Sequence, residues 1–315
     1  METKISLNIK KRFVKDYNLP IKLFDDEMFA YYIDLYDKVH NTKYKYNMLE
    51  LSVMGYKGEE GFMKEFNSIR DAIIADVSSK ESYKRLADTN VPIEYKGRYQ
   101  ISKQNIYNRD FINKRRISID LKKANFNSMR YYDPDLVNDK ENYRDFISEY
   151  TADPYMIESK QLRQIIFGNL LPTRQQSIQK VIMNRITDAI LDNMAVTVTS
   201  MGTDEIIIHD IMNEKEFFDT LYKLTQILSS DLIKIIKIEQ FRLLAAHPRK
   251  PFYVKVTSDS MEFKNVPNIY YPQVYKHCLN MPILDKDLLF EYEGEVVKFV
   301  NPLYTLEDIK YIRRY

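Results

Sequence analysis

The sequence predicts an α+β fold: a helical N-terminal region, an antiparallel sheet with helices packed on one face, and a small C-terminal α/β region. Three observations predict it. Apolar residues recur at helical spacing through the segment 1–108. Short β-branched runs begin at Ile117 and continue to the C-terminal part of the chain. Two of these runs flank Met201-Gly202-Thr203, the pattern of a β-hairpin.

The segment 1–108 is predicted to form a helical region. The acidic turn Asp25-Asp26-Glu27 precedes one amphipathic stretch, and a second helix is expected from Glu59 to about Val77. The apolar faces consist of Met28, Phe29, Tyr32, Ile33 and Tyr36 in the first helix, and of Phe62, Phe66, Ile69, Ile73 and Ile74 in the second. A basic connection with several tyrosines runs from Lys96 to Arg116.

The segment 109–265 is predicted to be a second domain that mixes strands and helices. The run Ile117-Ser118-Ile119-Asp120-Leu121 is typical of a short buried strand. Pro154 is expected to open one helix, which carries Met156 to Ile166, and Pro172 another. The remaining predicted elements are a hairpin (Ala195–Ser200 with Asp204–Ile208), a helix (Glu214–Leu228) and three strands (Ile233–Leu244, Phe252–Thr257 and Met261–Val266).

The segment 266–315 is predicted to be the small C-terminal region. Leu288–Tyr292 and Val296–Val300 flank Glu293-Gly294-Glu295 and predict a hairpin, which a short closing helix follows.

The composition excludes several classes of protein. The chain has 47 Lys and Arg against 45 Asp and Glu, a formal net charge of +2, so it is neither an acidic tail nor a histone-like polycation. With 7 glycines in 315 residues it has no Walker or Rossmann glycine loop. Its one cysteine excludes an internal disulfide and a multi-thiolate zinc site, so we expect a reducing, cytoplasmic location. We also expect no membrane insertion, because apolar runs stay far below the ~20 residues of a span.

Three carboxylates are the strongest candidates for a catalytic site. Asp120 ends a predicted strand, and Asp204 and Glu205 lie at the tip of the predicted hairpin. If the two elements are neighbours in one sheet, these acids come close together and repel each other unless cations neutralise them. We therefore predict that they bind Mg²⁺ (or Mn²⁺), which prefers carboxylates, waters and substrate phosphates as ligands.

Two motifs resemble the palm domain of nucleic-acid polymerases, in the group that includes reverse transcriptases and family B DNA polymerases. The strand that ends at Asp120, followed by Ala124-Asn125-Phe126, is similar to their first acidic motif. The run Thr199-Ser200-Met201-Gly202-Thr203-Asp204-Glu205 resembles their acidic hairpin, which normally has Asp-Asp or Asp-Thr-Asp. Asp204 is accordingly the expected ligand beside Asp120, with Glu205 in support. Asn125 stands where an aromatic residue would select the sugar.

The segment between these motifs is similar to the palm helix that holds the triphosphate. It runs from Ser159 to Asn169 and carries Lys160 and Arg163. The resemblance implies a nucleotidyltransferase that extends a nucleic-acid 3′ end with two Mg²⁺ ions, with nucleic acid and a nucleoside triphosphate as partners. Lys160 and Arg163 would hold the triphosphate, Asn125 or Phe126 would line the sugar pocket, and the basic residues Lys122 and Lys123 flank Asp120.

Other interpretations of the sequence remain open. The alternative to the nucleotidyltransferase is a non-catalytic nucleic-acid-binding or assembly protein on a palm-like scaffold. It is rich in Ile, Lys, Asn and Tyr, which is typical of AT-rich genomes, viral ones among them. Asp133-Pro134-Asp135 resembles the metal motif of nucleotide-sugar glycosyltransferases, although a proline turn explains it as well. His277-Cys278 suggests thiol catalysis, but Cys278 is also explained as a small thiol buried in the core.

Overall fold

The computed structural model describes residues 5–88, 96–209 and 213–304, in which a helical start is followed by a mixture of strands and helices. The helices are α1 (Leu7–Asp16), α2 (Asp26–His40), α3 (Thr42–Gly55), α4 (Glu59–Ser79), α5 (Glu81–Asp88), α6 (Ala124–Tyr132), α7 (Tyr143–Ile147), α8 (Pro154–Glu158), α9 (Lys160–Gly168), α10 (Pro172–Asn193), α11 (Glu214–Ile227), α12 (Ser230–Ile235) and α13 (Tyr271–Cys278). The strands are β1 (Arg115–Leu121), β2 (Thr197–Met201), β3 (Glu205–His209), β4 (Ile236–Ala245), β5 (Tyr253–Val256), β6 (Met261–Lys264), β7 (Leu289–Tyr292) and β8 (Glu295–Lys298).

The described residues divide into two compact units. We call the first the terminal unit; it comprises 5–50, 106–113 and 242–304. The second, the central unit, comprises 51–88, 96–105, 114–209 and 213–241. These units are interleaved along the chain, so they do not coincide with the consecutive segments 1–108, 109–265 and 266–315.

The strands form a six-stranded antiparallel sheet in the order β2-β3-β1-β4-β5-β6, and β7 and β8 form a separate two-stranded sheet. In the chain, β1, the helices α6 to α10, the hairpin β2–β3, the helices α11 and α12, and β4 follow one another. This is the split β-α-β pattern, in which the strand order 2-3-1-4 places the first strand between the third and the fourth. The α+β fold expected from the sequence is confirmed.

The two faces of β1 and β3 differ in polarity. Ile117 pairs with Ile208 and Ile119 with Ile206, and all four are fully buried on one face. Because side chains alternate along a strand, Arg116, Ser118 and Asp120 lie on the other face. Helix α10 contacts β2 and β3.

Most predicted elements are confirmed, and one helix is split. Helix α4 begins at the predicted Glu59 and ends two residues after the predicted Val77, and α2 begins within the predicted acidic turn. The predicted apolar faces are buried except for Ile74, which is half-buried. The helix expected from Pro154 through Ile166 is wrong as one element, because Ser159 is extended (φ −62°, ψ 110°). Its side chain accepts from the Leu162 amide at 3.0 Å and so starts a new helix, α9.

The C-terminal part agrees in its hairpin and differs at one strand. The predicted strand Ile233–Leu244 begins with the short helix α12, and β4 starts at Ile236. The hairpin β7–β8 is confirmed; Glu293 and Gly294 both have positive φ (51° and 85°), as a two-residue turn between twisted strands requires. The predicted closing helix lies mainly outside the described residues.

Candidate functional site

The three predicted carboxylates lie on neighbouring strands of the central unit. The register of β1 and β3 places Asp120 directly opposite Glu205. The amide of Leu121 donates to the Asp204 carbonyl at 2.8 Å, and the Gly202 amide donates to the Glu205 carbonyl at 2.7 Å. The hairpin turn therefore consists of Thr203 and Asp204, and Glu205 is the first residue of β3.

The register changes which acid faces Asp120. Residues directly opposite in an antiparallel pair point to the same face, with Cβ atoms roughly 4.5–5.5 Å apart. Glu205 therefore shares a face with Asp120, whereas Asp204 is exposed in the turn. The sequence analysis favours Asp204 over Glu205 as the partner of Asp120, whereas the register of β1 and β3 favours Glu205.

Glu205 is held in place by a neighbouring hydroxyl. The Ser118 hydroxyl donates to Glu205 Oε1 at 2.7 Å, and Ser118 is almost fully buried. Asp120 and Glu205 are both half-buried. One carboxylate oxygen of Glu205 is thus fixed by β1, and the pair lies where β1 ends.

The donor set fits one hard cation better than two. Mg²⁺ is commonly held by one or two carboxylates, while waters and substrate phosphates complete its octahedron. Asp120 and Glu205 supply two such carboxylates on one face. Across the described ranges, no three His, Cys, Asp or Glu side chains converge as a ready metal site. A second ion would need Asp204 to turn towards the pair.

The predicted phosphate ligands form a basic cluster around the start of α9. Lys160 is the first residue of α9 and Arg163 lies one turn later. Partial burial, followed by the positive charges of Arg163 and Lys160, lowers the pKa of Lys123, against the opposing effect of Glu158. Because these three cations repel one another, a bound anion would be electrostatically favourable among them. The Arg163 guanidinium also lies 5.4 Å from the ring centre of Tyr143.

Two other predicted contacts have different surroundings. The Lys122 ammonium donates to the Lys234 carbonyl at 3.1 Å. Phe126 is 0% exposed and its ring lies 5.8 Å from Phe146 and 6.3 Å from Phe167. We therefore correct the assignment of Phe126 from sugar pocket to hydrophobic core.

Asn125 stays a candidate for the sugar pocket. It is half-buried in the first turn of α6, and its carbonyl accepts from the Ser128 hydroxyl at 2.8 Å.

The alternative motifs have structural explanations. Asp133 caps a 3-10 turn through the Asp135 amide (3.1 Å) and pairs with Arg85 (2.7 Å). Asp135 accepts from the Ser82 hydroxyl at 2.6 Å. Burial raises the pKa of the Cys278 thiol to about 12, which opposes a nucleophilic thiolate.

Sequence reasoning counted Arg116 only among the basic residues near Asp120 and missed Ser118, which precedes Asp120 on the same face of β1. Arg116 is 0% exposed and its Nε donates to His209 Nδ1 at 3.3 Å. Ser118 fixes Glu205. The available signal was the alternation of Arg116, Ser118 and Asp120 with isoleucines, which marks a strand with one polar and one apolar face.

Compared with protein-family models, curated proteins and solved structures, the chain matches none of them. Within the described residues, no helix is both long and apolar enough to cross a membrane.

Proposed function

We propose that the chain is a nucleotidyltransferase of the palm type, which extends a nucleic-acid 3′ end from nucleoside triphosphates with the help of Mg²⁺ or Mn²⁺. The observation that carries the proposal is the register pair Asp120–Glu205 at the end of β1, inside a split β-α-β sheet. Acids 85 residues apart in the chain (205 − 120) thereby share one face of two central strands.

The chain's own groups would act by positioning and charge. Asp120 and Glu205 would hold a divalent ion, and Ser118 would keep the Glu205 carboxylate oriented. When bound, such an ion neutralises phosphate oxygens and lowers the pKa of the attacking hydroxyl. Lys123, Lys160 and Arg163 would bind the triphosphate, whose negative charge relieves their repulsion.

The test is primer extension with labelled nucleoside triphosphates and Mg²⁺ or Mn²⁺. Asp120→Asn and Glu205→Gln should each lower incorporation by roughly 100-fold or more, because each removes a charge from the site without changing its size. Asp204→Asn should have the smaller effect. Asp219→Asn, an exposed residue of α11, is the matched control and should leave incorporation unchanged.

One result would contradict the proposal, and another would contradict the choice of Glu205 over Asp204 as the partner of Asp120. Incorporation that is unchanged in both Asp120→Asn and Glu205→Gln would remove the carboxylate pair from the chemistry. A loss in Asp204→Asn that exceeds both would restore the order expected from the sequence.

A second candidate is a nucleic-acid-binding or assembly protein without catalysis. The observation that favours it is the lack of a converged three-ligand group in the described part of the chain. Calorimetry distinguishes the two candidates. A protein that only binds nucleic acid should do so with the same affinity in EDTA and in Mg²⁺, and it should not bind Mg²⁺ or Mn²⁺ measurably by itself. Metal binding that disappears in Glu205→Gln would exclude it.

A further inference from the structure

A cavity of about 510 Å³ lies in the terminal unit, whereas the carboxylate pair belongs to the central unit. It is lined by Arg109, Ile112, Asn113, Arg242, Leu244, Ala245, His247, Pro248, Lys250 and Tyr253. Its size falls within the roughly 300–1,000 Å³ typical of small-molecule sites.

The charge of the lining is one-sided. Arg109, Arg242 and Lys250 bring three cations to the cavity, and its lining contains no Asp or Glu. Arg109 donates to the Pro248 carbonyl at 2.7 Å, and the Lys250 ammonium lies 5.6 Å from the ring centre of Tyr270. Among the described residues, none of the three cations forms an ion pair with a carboxylate. Like charges gathered without a counter-ion favour an anionic ligand.

The loop beside the cavity is held by His247, which is 4% exposed. Its Nδ1 accepts from the amides of Arg249 and Lys250, each at 3.1 Å. The other ring nitrogen, Nε2, lies 3.5 Å from the Leu303 carbonyl. The Ala246 amide donates to the Phe252 carbonyl at 2.8 Å and so closes the loop. Lys250 is therefore presented by a fixed loop, which lowers the entropy cost of binding.

The rest of the lining is apolar or aromatic. Ile112, Leu244 and Tyr253 stand beside the cations, and Leu244 is exposed although it lies within strand β4. A purely ionic ligand would need no such surface. A ligand with a flat apolar part and a polyanionic part would use both.

We propose that this cavity binds a nucleoside polyphosphate without a metal ion, its phosphates on Arg109, Arg242 and Lys250 and its base against Leu244 and Tyr253. The inference does not depend on the proposed function. A single strand of nucleic acid is less suited, because it needs an extended basic groove rather than a compact cavity.

The experiment is calorimetric titration of the full chain with ATP and with inorganic tripolyphosphate, in EDTA. ATP should bind more tightly than tripolyphosphate, and binding should weaken with added salt. Arg242→Gln and Lys250→Gln should each weaken ATP binding about tenfold, the effect of losing one hydrogen bond to a charged group. Lys38→Gln removes the same charge from an exposed site on α2 and should change nothing.

A second variant tests the base subsite while all cations remain. Leu244→Gln should weaken ATP binding and leave tripolyphosphate binding unchanged; thermal melting verifies that each variant is folded.

Several results would overturn the inference: no binding of ATP to the wild type, equal binding of ATP and tripolyphosphate, or equal weakening in Lys38→Gln. Tighter binding of a short single-stranded oligonucleotide, lost in Arg242→Gln and Lys250→Gln, would also overturn it and assign the cavity to nucleic acid.

Discussion

The terminal and central units are both built around aromatic clusters, but of different chemistry. In the terminal unit, the Tyr36 ring lies 5.7 Å from that of Tyr32, 5.5 Å from Tyr271 and 5.1 Å from Tyr275. In the central unit, Phe126, Phe146 and Phe167 surround one another, with Tyr143 at the margin. One cluster consists mainly of rings that carry hydroxyls, although Phe263 packs on Tyr271 and Tyr275, and the other mainly of rings that do not.

This difference indicates in which unit hydrogen bonding and titratable groups contribute to the free energy of unfolding. A phenyl ring contributes through buried area and packing, so a phenylalanine cluster responds to volume. A buried tyrosine, histidine or ion pair also responds to hydrogen bonding and to pH. The terminal unit should therefore be sensitive to single polar atoms and to acid, and the central cluster to cavities.

The largest expected effect concerns the buried ion pair of the terminal unit. Asp287 is 0% exposed, lies 2.7 Å from the Lys276 ammonium and accepts from the Tyr31 hydroxyl at 2.6 Å. Asp287→Ala should lower the free energy of unfolding by about 3–5 kcal/mol, because it leaves the Lys276 charge buried without its partner. Urea unfolding measures the loss.

The control for that variant is two residues away. Asp285 is mostly exposed and pairs with Lys298 at 2.9 Å, so Asp285→Ala should cost less than about 1 kcal/mol. Equal losses in both variants would show that burial does not distinguish the two pairs.

The next effect is a dependence on pH through His40. Burial, followed by the charge of Lys45, lowers the pKa of His40 from 6.5 to about 4, while Glu262 opposes the shift. As the pH falls, His40 therefore takes up its proton at a higher pH in the unfolded chain than in the folded chain. The free energy of unfolding should fall between about pH 6.5 and about pH 4, by an amount on the order of 2 kcal/mol. His40→Gln should remove this part of the dependence.

The measurement is the difference in unfolding free energy between wild type and His40→Gln across that range, in which the carboxylates common to both cancel. A difference that stays constant with pH would mean that His40 titrates normally in the folded chain.

The elements could be predicted from the sequence wherever their signal is local. Helices α2 and α4 follow from apolar spacing and an acidic first turn, which act within a few residues. The break at Ser159 could not be predicted, because apolar spacing continues across it. The break depends on the side-chain cap that Ser159 provides and on its extended backbone.

The candidate site could be predicted only to within one residue. Strand ends and a hairpin tip bring Asp120 and the acids at 204–205 together, but a shift of one residue exchanges the faces of a strand. The turn after Gly202 leaves Asp204 outside β3, and the register of β1 and β3 places Glu205 opposite Asp120. Arg109 and Arg242 meet in one cavity although they lie far apart in the chain, and nothing local indicates it.

A smaller effect tests the phenylalanine cluster. Phe126→Leu should lower stability by roughly 1–2 kcal/mol at every pH, because it removes buried ring volume and no titratable group. It should leave the choice between deoxyribonucleotides and ribonucleotides unchanged in a primer-extension assay. A change in that choice, with stability unaltered, would return Phe126 to the sugar pocket.

The smallest effect has the opposite sign and lies in the tyrosine cluster. Tyr36 is 0% exposed, and its hydroxyl has no hydrogen-bond partner among the described residues. Burial raises the pKa of this hydroxyl well above its usual value, so it stays protonated. Tyr36→Phe should raise the unfolding free energy by about 1 kcal/mol, since it removes an unsatisfied polar atom and keeps the ring. Tyr31→Phe, which deletes the donor to Asp287, should lower it by about 1–2 kcal/mol. If both variants lose stability alike, the Tyr36 hydroxyl has a partner in solution, and the two clusters differ less than their chemistry indicates.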